Sequence, residues 1–257
     1  MINDDWLGLT IGNSRLHWAW FQGKKLSNSW ESEHLLENVI DEELLKDILP
    51  SFLSDRAANL PIYIASVVDS QTALWQSYHH ANLITLDWIP LKAIYSGLGI
   101  DRALAVWGAG MTYGFPCLVV DAGTALTFTG AKCDRTLVGG AILPGLQLQL
   151  RSLATKTAAL PQVNLPEVLP ERWSLNTSGA IQSGIIYTVL AGIQDFLTDW
   201  LKRFPESQIV LTGGDAKLLL NYLKIRSSDL SKSIIIDAHL IFLGMRSLVF
   251  SRQELQS

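Results

Sequence analysis

The first half of the chain begins with two short apolar runs separated by a polar turn. Residues 7–11 and 16–21 are mostly apolar, and Gly12-Asn13-Ser14 lies between them. A glycine and an asparagine between two such runs predict a strand, a tight turn and a returning strand. The other elements predicted in this half are a helix at 35–53, strands at 61–68 and 83–89, and a helix at 102–113 that Gly114 and Pro116 end.

The same pattern returns after Cys117. Residues 118–125 align with residues 7–14 at an offset of 111, measured from Gly12 to Gly123. Both segments contain an apolar strand, a polar residue two positions before the glycine, and a small polar residue after it. A repeat of this size indicates two similar domains, because solenoid repeats are only ~20–50 residues long. We therefore predict domains at residues 1–115 and 116–257.

The rest of the second half alternates between helix-like and strand-like segments. Apolar residues at helical spacing predict a long helix that Thr177 or Ser178 caps and that ends near residue 201: Ile181, Ile185, Val189, Ile193, Phe196 and Trp200. The other predicted elements are a loop at 139–145, a helix at 146–156, a strand at 208–211, a helix opened by Thr212-Gly-Gly-Asp-Ala216, a strand at 233–236 and a helix at 238–250. Strands that alternate with helices predict an α/β fold.

Composition restricts the class of protein further. Apolar residues make up 48% of the chain and charged residues 17%, which excludes intrinsic disorder. The net charge is −4 without a basic run, so we expect no nucleic-acid partner. Two cysteines cannot form a disulfide framework. The acidic N-terminus lacks the pattern of a signal peptide, and the longest uncharged stretch, residues 173–194, contains polar residues that lipid would disfavour. We therefore expect a cytoplasmic protein without a membrane partner.

Several common catalytic motifs are absent from the sequence. It contains no Gly-x-x-x-x-Gly-Lys-Ser/Thr loop, no complete Gly-x-Gly-x-x-Gly and no Gly-x-Ser-x-Gly. Its five histidines form no His-Glu-x-x-His, and its cysteines lack zinc spacing. These absences disfavour dinucleotide oxidoreductases, serine hydrolases and zinc hydrolases.

Three glycine turns at predicted strand ends remain, at Gly12, Gly123 and Gly213. Such a turn offers backbone N–H groups to a phosphate without a side chain in the way, and a neighbouring hydroxyl adds a donor. The third turn opens a helix, whose N-terminus also favours an anion. One such turn alone is more often an ordinary hairpin or helix cap. Three in this order, two of them repeated, favour phosphate binding.

A longer set of motifs carries a resemblance to a known family. The motifs are Gly99-Ile-Asp101-Arg102, Asp121-Ala-Gly-Thr124-Ala, Gly139-Gly-Ala-Ile-Leu-Pro-Gly145, Thr157-Ala-Ala-Leu-Pro161, Asn176-Thr177 and Thr212-Gly-Gly-Asp-Ala216. In this order they resemble type III pantothenate kinases, which belong to the actin-like ATPase superfamily of acetate and sugar kinases, Hsp70 and actin. The resemblance covers residues 7–243. It implies two similar actin-like (ribonuclease H-like) domains with a cleft between them that holds ATP.

The resemblance also implies the reaction and its residues. ATP, with Mg²⁺, would phosphorylate the primary hydroxyl of pantothenate in the first step towards coenzyme A, with Asp101 as the catalytic base. Asp121 would bind a monovalent cation, K⁺ or NH₄⁺. The ATP-binding residues implied are Thr10, Ile11, Gly12, Asn13, Ser14, Arg15, Leu16, His17, Gly123 and Thr124. The pantothenate-binding residues implied are Tyr95, Gly99, Ile100, Arg102 and Thr177. The family also suggests a homodimer whose second subunit helps to form the pantothenate pocket.

Each of these residues also has a structural interpretation. Asp101 is a favoured cap for a helix that starts at Arg102, and Thr177 is a favoured cap for the long helix. Arg102 is then a surface arginine, and Tyr95 packs in the core. Asp121 is then a buried carboxylate bonded to nearby N–H groups.

Two residues depart from the family pattern. Thr10 stands where the family's first strand usually carries an aspartate expected to help place magnesium, and Thr129 stands where another aspartate is common. A neutral hydroxyl is a weaker magnesium ligand than a carboxylate. Two alternatives therefore stay open: a regulatory relative without turnover, of the Bvg accessory factor type, and a kinase for another small alcohol.

Overall fold

The computed structural model describes residues 5–36, 39–53 and 60–256. The chain divides into two compact units. Unit 1 comprises Met1–Pro90, Ile94–Gly108 and Ile241–Ser257, and unit 2 comprises Leu91–Ala93 and Ala109–Leu240. Each unit is built on a mixed five-stranded sheet.

The sheet of unit 1 combines a three-stranded antiparallel meander with two parallel strands. Its strands are β1 (Asp5–Ile11), β2 (Leu16–Gln22), β3 (Lys25–Ser32), β4 (Ile62–Ser66) and β5 (Ala81–Leu83), in the order β3-β2-β1-β4-β5. Strands β1, β2 and β3 pair antiparallel, whereas β4 runs parallel to β1 and to β5. The helices that begin or lie in this part of the chain are α1 (Glu42–Ile48), α2 (Asp69–Trp75), a 3-10 turn (Leu86–Trp88) and α3 (Ile100–Tyr113).

The sheet of unit 2 has the same plan. Its strands are β6 (Cys117–Ala122), β7 (Ala125–Ala131), β8 (Leu137–Pro144), β9 (Gln208–Thr212) and β10 (Ile234–Ile236), in the order β10-β9-β6-β7-β8. The helices are α4 (Leu146–Lys156), α5 (Thr177–Arg203), α6 (Ala216–Arg226), α7 (Ser228–Lys232) and α8 (Leu240–Gln256), of which α8 belongs mainly to unit 1.

The two sheets correspond strand by strand. Strands β6, β7, β8, β9 and β10 occupy the positions of β1, β2, β3, β4 and β5, with the same parallel and antiparallel pairings. The repeat predicted from the offset of 111 residues is therefore a repeat of a whole sheet. The α/β class is confirmed as well.

Each unit has its own apolar core. In unit 1, fully buried residues of the sheet such as Leu7, Leu9 and Trp18 pack with Trp75 of α2. In unit 2, nine residues of α5 are buried, including Ile186 and Leu190. Helix α5 is long and apolar enough to cross a membrane by length and composition. Its buried residues instead make it the central core helix of unit 2, because a helix with an apolar stripe packs that stripe against the core of a folded domain.

Several predicted elements were wrong or missing. The described part of the predicted helix at 35–53 is helical only at Glu42–Ile48, and 83–89 is a 3-10 turn after the short β5. The predicted loop at 139–145 lies largely in strand β8. Strand β3 and helices α2 and α7 were not predicted. Pairing with a neighbouring strand determines β3 and β8, and their own sequences carry little signal for it.

The predicted boundary between residues 115 and 116 stays a prediction. The division into units falls within α3, and it assigns the residues from Ile241 onward to unit 1. The final helix, although it is the last element of the chain, therefore packs with the first sheet: Arg246 donates to the Lys24 carbonyl at 3.4 Å, and Arg252 stacks on the ring of Trp88.

Candidate functional site

The turn between β1 and β2, residues 12–15, presents backbone and polar side chains to solvent. The side chains of Ile11 and Leu16 on either side are buried, so they can offer a ligand only their backbone. The Gly12 N–H donates to the Arg15 carbonyl at 3.1 Å, which closes the turn. The Gly12 carbonyl in turn lies 2.8 Å from Nε2 of His34. This turn, named turn 1 below, is thus tied to the chain that follows β3.

Charged side chains surround turn 1. Glu31 of β3 accepts from Arg15 at 3.4 Å and lies 3.3 Å from Nδ1 of His17. Both pairs are about half exposed, so each contributes little to stability. Their effect is to hold two basic side chains beside the turn, where an anionic ligand would meet them.

Backbone hydrogen bonds hold the corresponding turn between β6 and β7. The Gly123 N–H donates to the Ala125 carbonyl at 3.1 Å, and the Gly145 N–H donates to the Thr124 carbonyl at 2.9 Å. Gly145 is the residue before α4, and a Cβ on it would lie 2.1 Å from the Gly123 carbonyl oxygen. Only glycine therefore lets the start of α4 reach this turn, which we name turn 2.

The Thr-Gly-Gly turn after β9 packs against β6, the strand that precedes turn 2. Gly213 has φ +92°, in the left-handed region that favours glycine. A Cβ there would lie 2.5 Å from Oδ1 of Asp121 and 2.5 Å from the Ala122 carbonyl carbon. The Asp215 N–H donates to the Ala122 carbonyl at 2.9 Å, which fixes the start of α6 beside β6.

A shallow depression lies where these elements meet in unit 2. Its lining consists of Ala122, Gly123, Leu126, Gly145, Leu146, Asp215 and Leu219. The first residues of α4 and α6 are therefore close together, and helix N-termini carry partial positive charge that suits a phosphate.

Asp215 is a residue of this depression to which the sequence assigned no role. Burial raises the pKa of its carboxyl. Burial, together with the negative charge of Asp215, also raises the pKa of Tyr222 to about 12. The motif Thr212-Gly-Gly-Asp-Ala216 contained Asp215, but only the fold reveals that it lines the same depression as Gly123.

A second group of predicted residues meets at the start of α3 in unit 1. The Gly99 carbonyl accepts from the Ala103 N–H, so the helix begins at Ile100. Oδ1 of Asp101 accepts from the Arg102 N–H at 2.8 Å. A Cβ on Gly99 would lie 2.4 Å from that Oδ1. Glycine at position 99 therefore leaves room for the carboxylate in its observed position.

Arg102 follows Asp101 in α3, and its side chain contacts Tyr95. Arg102 is 8% exposed, and its Nη1 donates to the Tyr95 hydroxyl at 3.1 Å, while Tyr95 is 44% exposed. The alternatives of a surface arginine and a core tyrosine were therefore wrong. The structure instead pairs a buried guanidinium with an accessible phenol, and the guanidinium belongs to the residue that follows Asp101.

The two predicted helix caps were also wrong. Asp101 is the second residue of α3 rather than its cap. Asn176 caps α5, because its Oδ1 accepts from the Gly179 N–H at 2.8 Å. Thr177 is the exposed first residue of that helix. Its hydroxyl is not needed for capping.

Asp121 and Thr10 hold equivalent positions in the two sheets. Asp121 pairs with Thr127 and Thr212, as Thr10 pairs with His17 and Ala65. Thr10 is 7% exposed and Thr129 on β7 is 2% exposed. A neutral hydroxyl tolerates such burial, whereas an unpaired carboxylate is costly there.

The described residues do not form a site for a divalent cation by themselves. No three or more His, Cys, Asp or Glu side chains come together anywhere in residues 5–36, 39–53 and 60–256. A divalent ion at turn 1 or turn 2 would therefore take most of its ligands from phosphate oxygens and water, as Mg²⁺ commonly does. A monovalent ion is less demanding, and the partly buried Asp121 beside the Gly123 and Gly213 backbones fits one.

Comparison with known proteins identifies the family of this chain. The family model for type III pantothenate kinase matches residues 6–199. The chain belongs to the type III pantothenate kinase family. A type III pantothenate kinase from a Nostoc species is 51% identical over 263 residues, which cover 96% of this chain and 95% of that protein. The family implies ATP and a divalent metal.

Solved structures support the fold. A protein from Campylobacter jejuni, named for the Baf family of transcriptional activators, superimposes with a TM-score of 0.66 at 21% identity, and the match covers 96% of this chain and 99% of that one. MreB5 of Spiroplasma citri bound to ADP gives 0.51 at 11% identity, covering 97% and 96%. At these identities the likeness concerns the fold alone. The predicted actin-like architecture of this type III pantothenate kinase family member is confirmed.

Proposed function

We propose that this protein transfers the γ-phosphate of ATP to the primary hydroxyl of pantothenate, giving 4′-phosphopantothenate. The observation that carries the proposal is the match to type III pantothenate kinases over nearly the whole chain, at 51% identity to one of them. Turn 1 and turn 2 each offer donors to phosphate, and Asp101 offers a carboxylate, which are the groups this chemistry needs.

Turn 1 and turn 2 each act as a phosphate-binding element. In turn 1 the exposed Asn13, Ser14 and Arg15 supply backbone and side-chain donors, and in turn 2 the exposed Thr124 supplies a hydroxyl next to the start of α4. Bound Mg²⁺ neutralises phosphate charge during transfer. Thr10 and Thr129 leave that ion to the phosphates and water.

Asp101 is the group that accepts the proton of the attacking hydroxyl. A carboxylate within hydrogen-bond reach orients a primary alcohol and takes its proton as the bond to phosphorus forms. The Arg102 N–H holds one carboxylate oxygen, Oδ1. The guanidinium of Arg102 donates to the hydroxyl of Tyr95. These two groups bind the carboxylate of pantothenate, for which a planar cation is well suited. The Gly99–Ile100 backbone and Thr177 complete the proposed substrate contacts.

Asp121 binds a monovalent cation in this proposal, either K⁺ or NH₄⁺. One carboxylate near phosphates adds repulsion unless a cation balances it. The partly buried position of Asp121 against Gly213 supports this role. The protein acts as a cytoplasmic homodimer, as the family resemblance implies.

The test is phosphorylation of pantothenate by the purified protein with Mg-ATP, in potassium and in sodium buffers. We expect turnover that potassium stimulates, and a loss of about 10²- to 10⁴-fold in kcat for Asp101→Asn. Asp121→Asn should lose the response to potassium. Asp229→Asn is the matched control, since Asp229 pairs with Lys232 on an exposed surface of α7. No turnover from folded protein in either buffer would contradict the proposal.

Thr10 is the observation that favours a second candidate, a regulatory relative without turnover. That candidate predicts binding of Mg-ATP with no transfer to any acceptor. A panel of small alcohols offered beside pantothenate separates it from a kinase with another substrate, which would phosphorylate a different member of the panel.

A further inference from the structure

His34 makes a contact with turn 1 that the proposed reaction does not use directly. Its Nε2 lies 2.8 Å from the Gly12 carbonyl oxygen. A carbonyl oxygen can only accept a hydrogen bond, so Nε2 carries the proton and donates. His34 is separated from Gly12 by 22 positions in the sequence and is partly buried. The contact therefore links the segment after β3 to the turn between β1 and β2.

The chain that carries His34 is itself anchored. Gln71 of α2, which is 9% exposed, donates through Nε2 to the Leu35 carbonyl at 2.9 Å, and its Oε1 accepts from the Leu35 N–H at 3.3 Å. These two bonds fix the backbone of the residue next to His34. The imidazole thus reaches Gly12 from a fixed point rather than from a free loop.

The contact determines the direction of one peptide group. In a trans peptide the C=O and the N–H point in opposite directions. A Gly12 carbonyl held towards His34 therefore turns the Asn13 N–H to the opposite side. The other bonds at this turn hold the Gly12 N–H and, through the Val67 N–H at 3.1 Å, the Ile11 carbonyl. Neither of these bonds involves the Gly12 carbonyl or the Asn13 N–H, so the contact with His34 is the one that orients the Gly12–Asn13 peptide.

The repeat in unit 2 offers a comparison for this role. There the Thr124 carbonyl of turn 2 accepts from the Gly145 N–H at 2.9 Å. A carbonyl of the turn is held in both units, by a backbone donor in one and by an imidazole in the other.

We infer that His34 is a positioning residue for nucleotide phosphate binding: it holds the Gly12–Asn13 peptide with its N–H aimed at the phosphates. The inference rests on the proposed binding of ATP phosphates at turn 1. His34 touches neither the acceptor nor the transferred group, so its loss should act on the nucleotide and leave pantothenate binding unchanged.

The experiment compares His34→Ala, His34→Gln and His34→Asn. The amide nitrogen of glutamine reaches the position of Nε2, whereas that of asparagine reaches only the position of Nδ1. We expect His34→Ala and His34→Asn to raise KM for ATP and the dissociation constant for Mg-ADP by about tenfold, with KM for pantothenate unchanged. His34→Gln should stay within about threefold of the parent protein. His79→Ala is the control, since His79 is exposed and its ring contacts Tyr78 and His80.

Three results would overturn the inference. The first is unchanged nucleotide binding in His34→Ala. The second is an equal loss in the glutamine and asparagine variants, which also decides the matter if the alanine variant fails to fold. The third is a parent protein that does not bind Mg-ADP. A parent protein that binds Mg-ADP but does not phosphorylate pantothenate contradicts the proposed function alone, because calorimetry with Mg-ADP still measures the effect of His34.

Discussion

Turn 1 and turn 2 occupy the same place in two sheets of the same strand order, yet they are held by different means. Turn 2 is held by backbone packed on backbone, with Gly145 against Gly123 and Thr124. The backbone bond from Gly12 to Arg15 also closes turn 1, but a side chain, the imidazole of His34, ties it to a later segment, and Glu31 lies beside Arg15 and His17. The position of each turn thus follows from the repeated sheet, whereas the contacts that hold it come from segments later in the chain.

The comparison has a consequence for substitutions. Where two backbone segments are in contact, there is no room for an added Cβ, and the neighbouring backbone atoms can move only at a cost in free energy. Where a side chain is the partner, another side chain of similar reach can replace it. Turn 2 should therefore be sensitive to added atoms, and turn 1 to lost donors.

Gly145→Ala should have the largest effect. The φ of Gly145 is −65°, which alanine adopts freely, so the effect is steric: the new Cβ would lie 2.1 Å from the Gly123 carbonyl oxygen. We expect the free energy of unfolding to fall by about 1–3 kcal/mol and nucleotide binding to be lost. Chemical denaturation and calorimetry measure both. Gly184→Ala on the exposed side of α5, where no described atom lies within 4 Å, is the control and should stabilise by about 0.5–1 kcal/mol. Equal stability of Gly145→Ala and Gly184→Ala would contradict the claim that turn 2 has no room for an added Cβ.

Gly99→Ala tests a place in unit 1 where a side chain must be missing for the candidate site to form. Here the added Cβ would meet a carboxylate oxygen of Asp101 at 2.4 Å, and this side chain can rotate away. We expect kcat to fall by about 10- to 100-fold, because a displaced base loses its alignment with the acceptor. Stability and KM for ATP should change little. Steady-state kinetics with thermal unfolding as the control measure this, and a kcat equal to that of the parent protein would contradict the role of Asp101.

Gly12→Ala is the counterpart of Gly145→Ala in unit 1. A Cβ at Gly12 would meet the Arg15 carbonyl oxygen at 3.6 Å, an ordinary contact. We expect the free energy of unfolding to stay within about 0.5 kcal/mol of the parent value. KM for ATP should rise about tenfold, because the methyl group occupies space that a phosphate approaches. A loss of stability as large as that of Gly145→Ala would show that the two turns are held alike.

Asp215→Asn should have the smallest effect, and it depends on pH. Asp215 precedes α6, whereas the corresponding residue before α2 in unit 1 is the uncharged Val68. Burial raises the pKa of Asp215 in the folded protein above its unfolded value, so ionisation favours unfolding. The asparagine variant should therefore be slightly more stable than the parent protein at pH 7, and the difference should vanish below about pH 4. Denaturation curves at both pH values decide this. A difference that is the same at pH 7 and below pH 4 would contradict the effect of burial.

The sequence predicted those parts of the fold whose signal is local. The hairpin at residues 7–21 follows from contiguous apolar runs, and α4 occupies the predicted residues 146–156. Strand β3 was missed because its residues, Lys-Leu-Ser-Asn-Ser-Trp-Glu-Ser, are mostly polar and owe their strand to pairing with β2. Strand β8 was missed because Gly139 and Gly140 are typical of a loop.

The residues of the candidate site also fall into those with a local sequence signal and those without one. Asp101, Arg102 and the glycine turns stand in short motifs, so a resemblance identified them. The roles of His34 and Asp215 depend on contacts between distant segments, Gly12 with His34 and Ala122 with Asp215, and no spacing along the chain indicates either contact. Long-range contacts of this kind exist only in the folded chain.

Backbone amide NMR of the labelled protein during a titration with Mg-ATP tests most directly whether the repeated turn binds phosphate in both units. We expect the amide signals of Asn13 in turn 1 and of Thr124 in turn 2 to shift as Mg-ATP is added, while that of Asn82 next to β4 stays in place. If the signals of only one turn respond, or of neither, the repeat is a repeat of structure alone and the proposed phosphate-binding role of the silent turn is wrong.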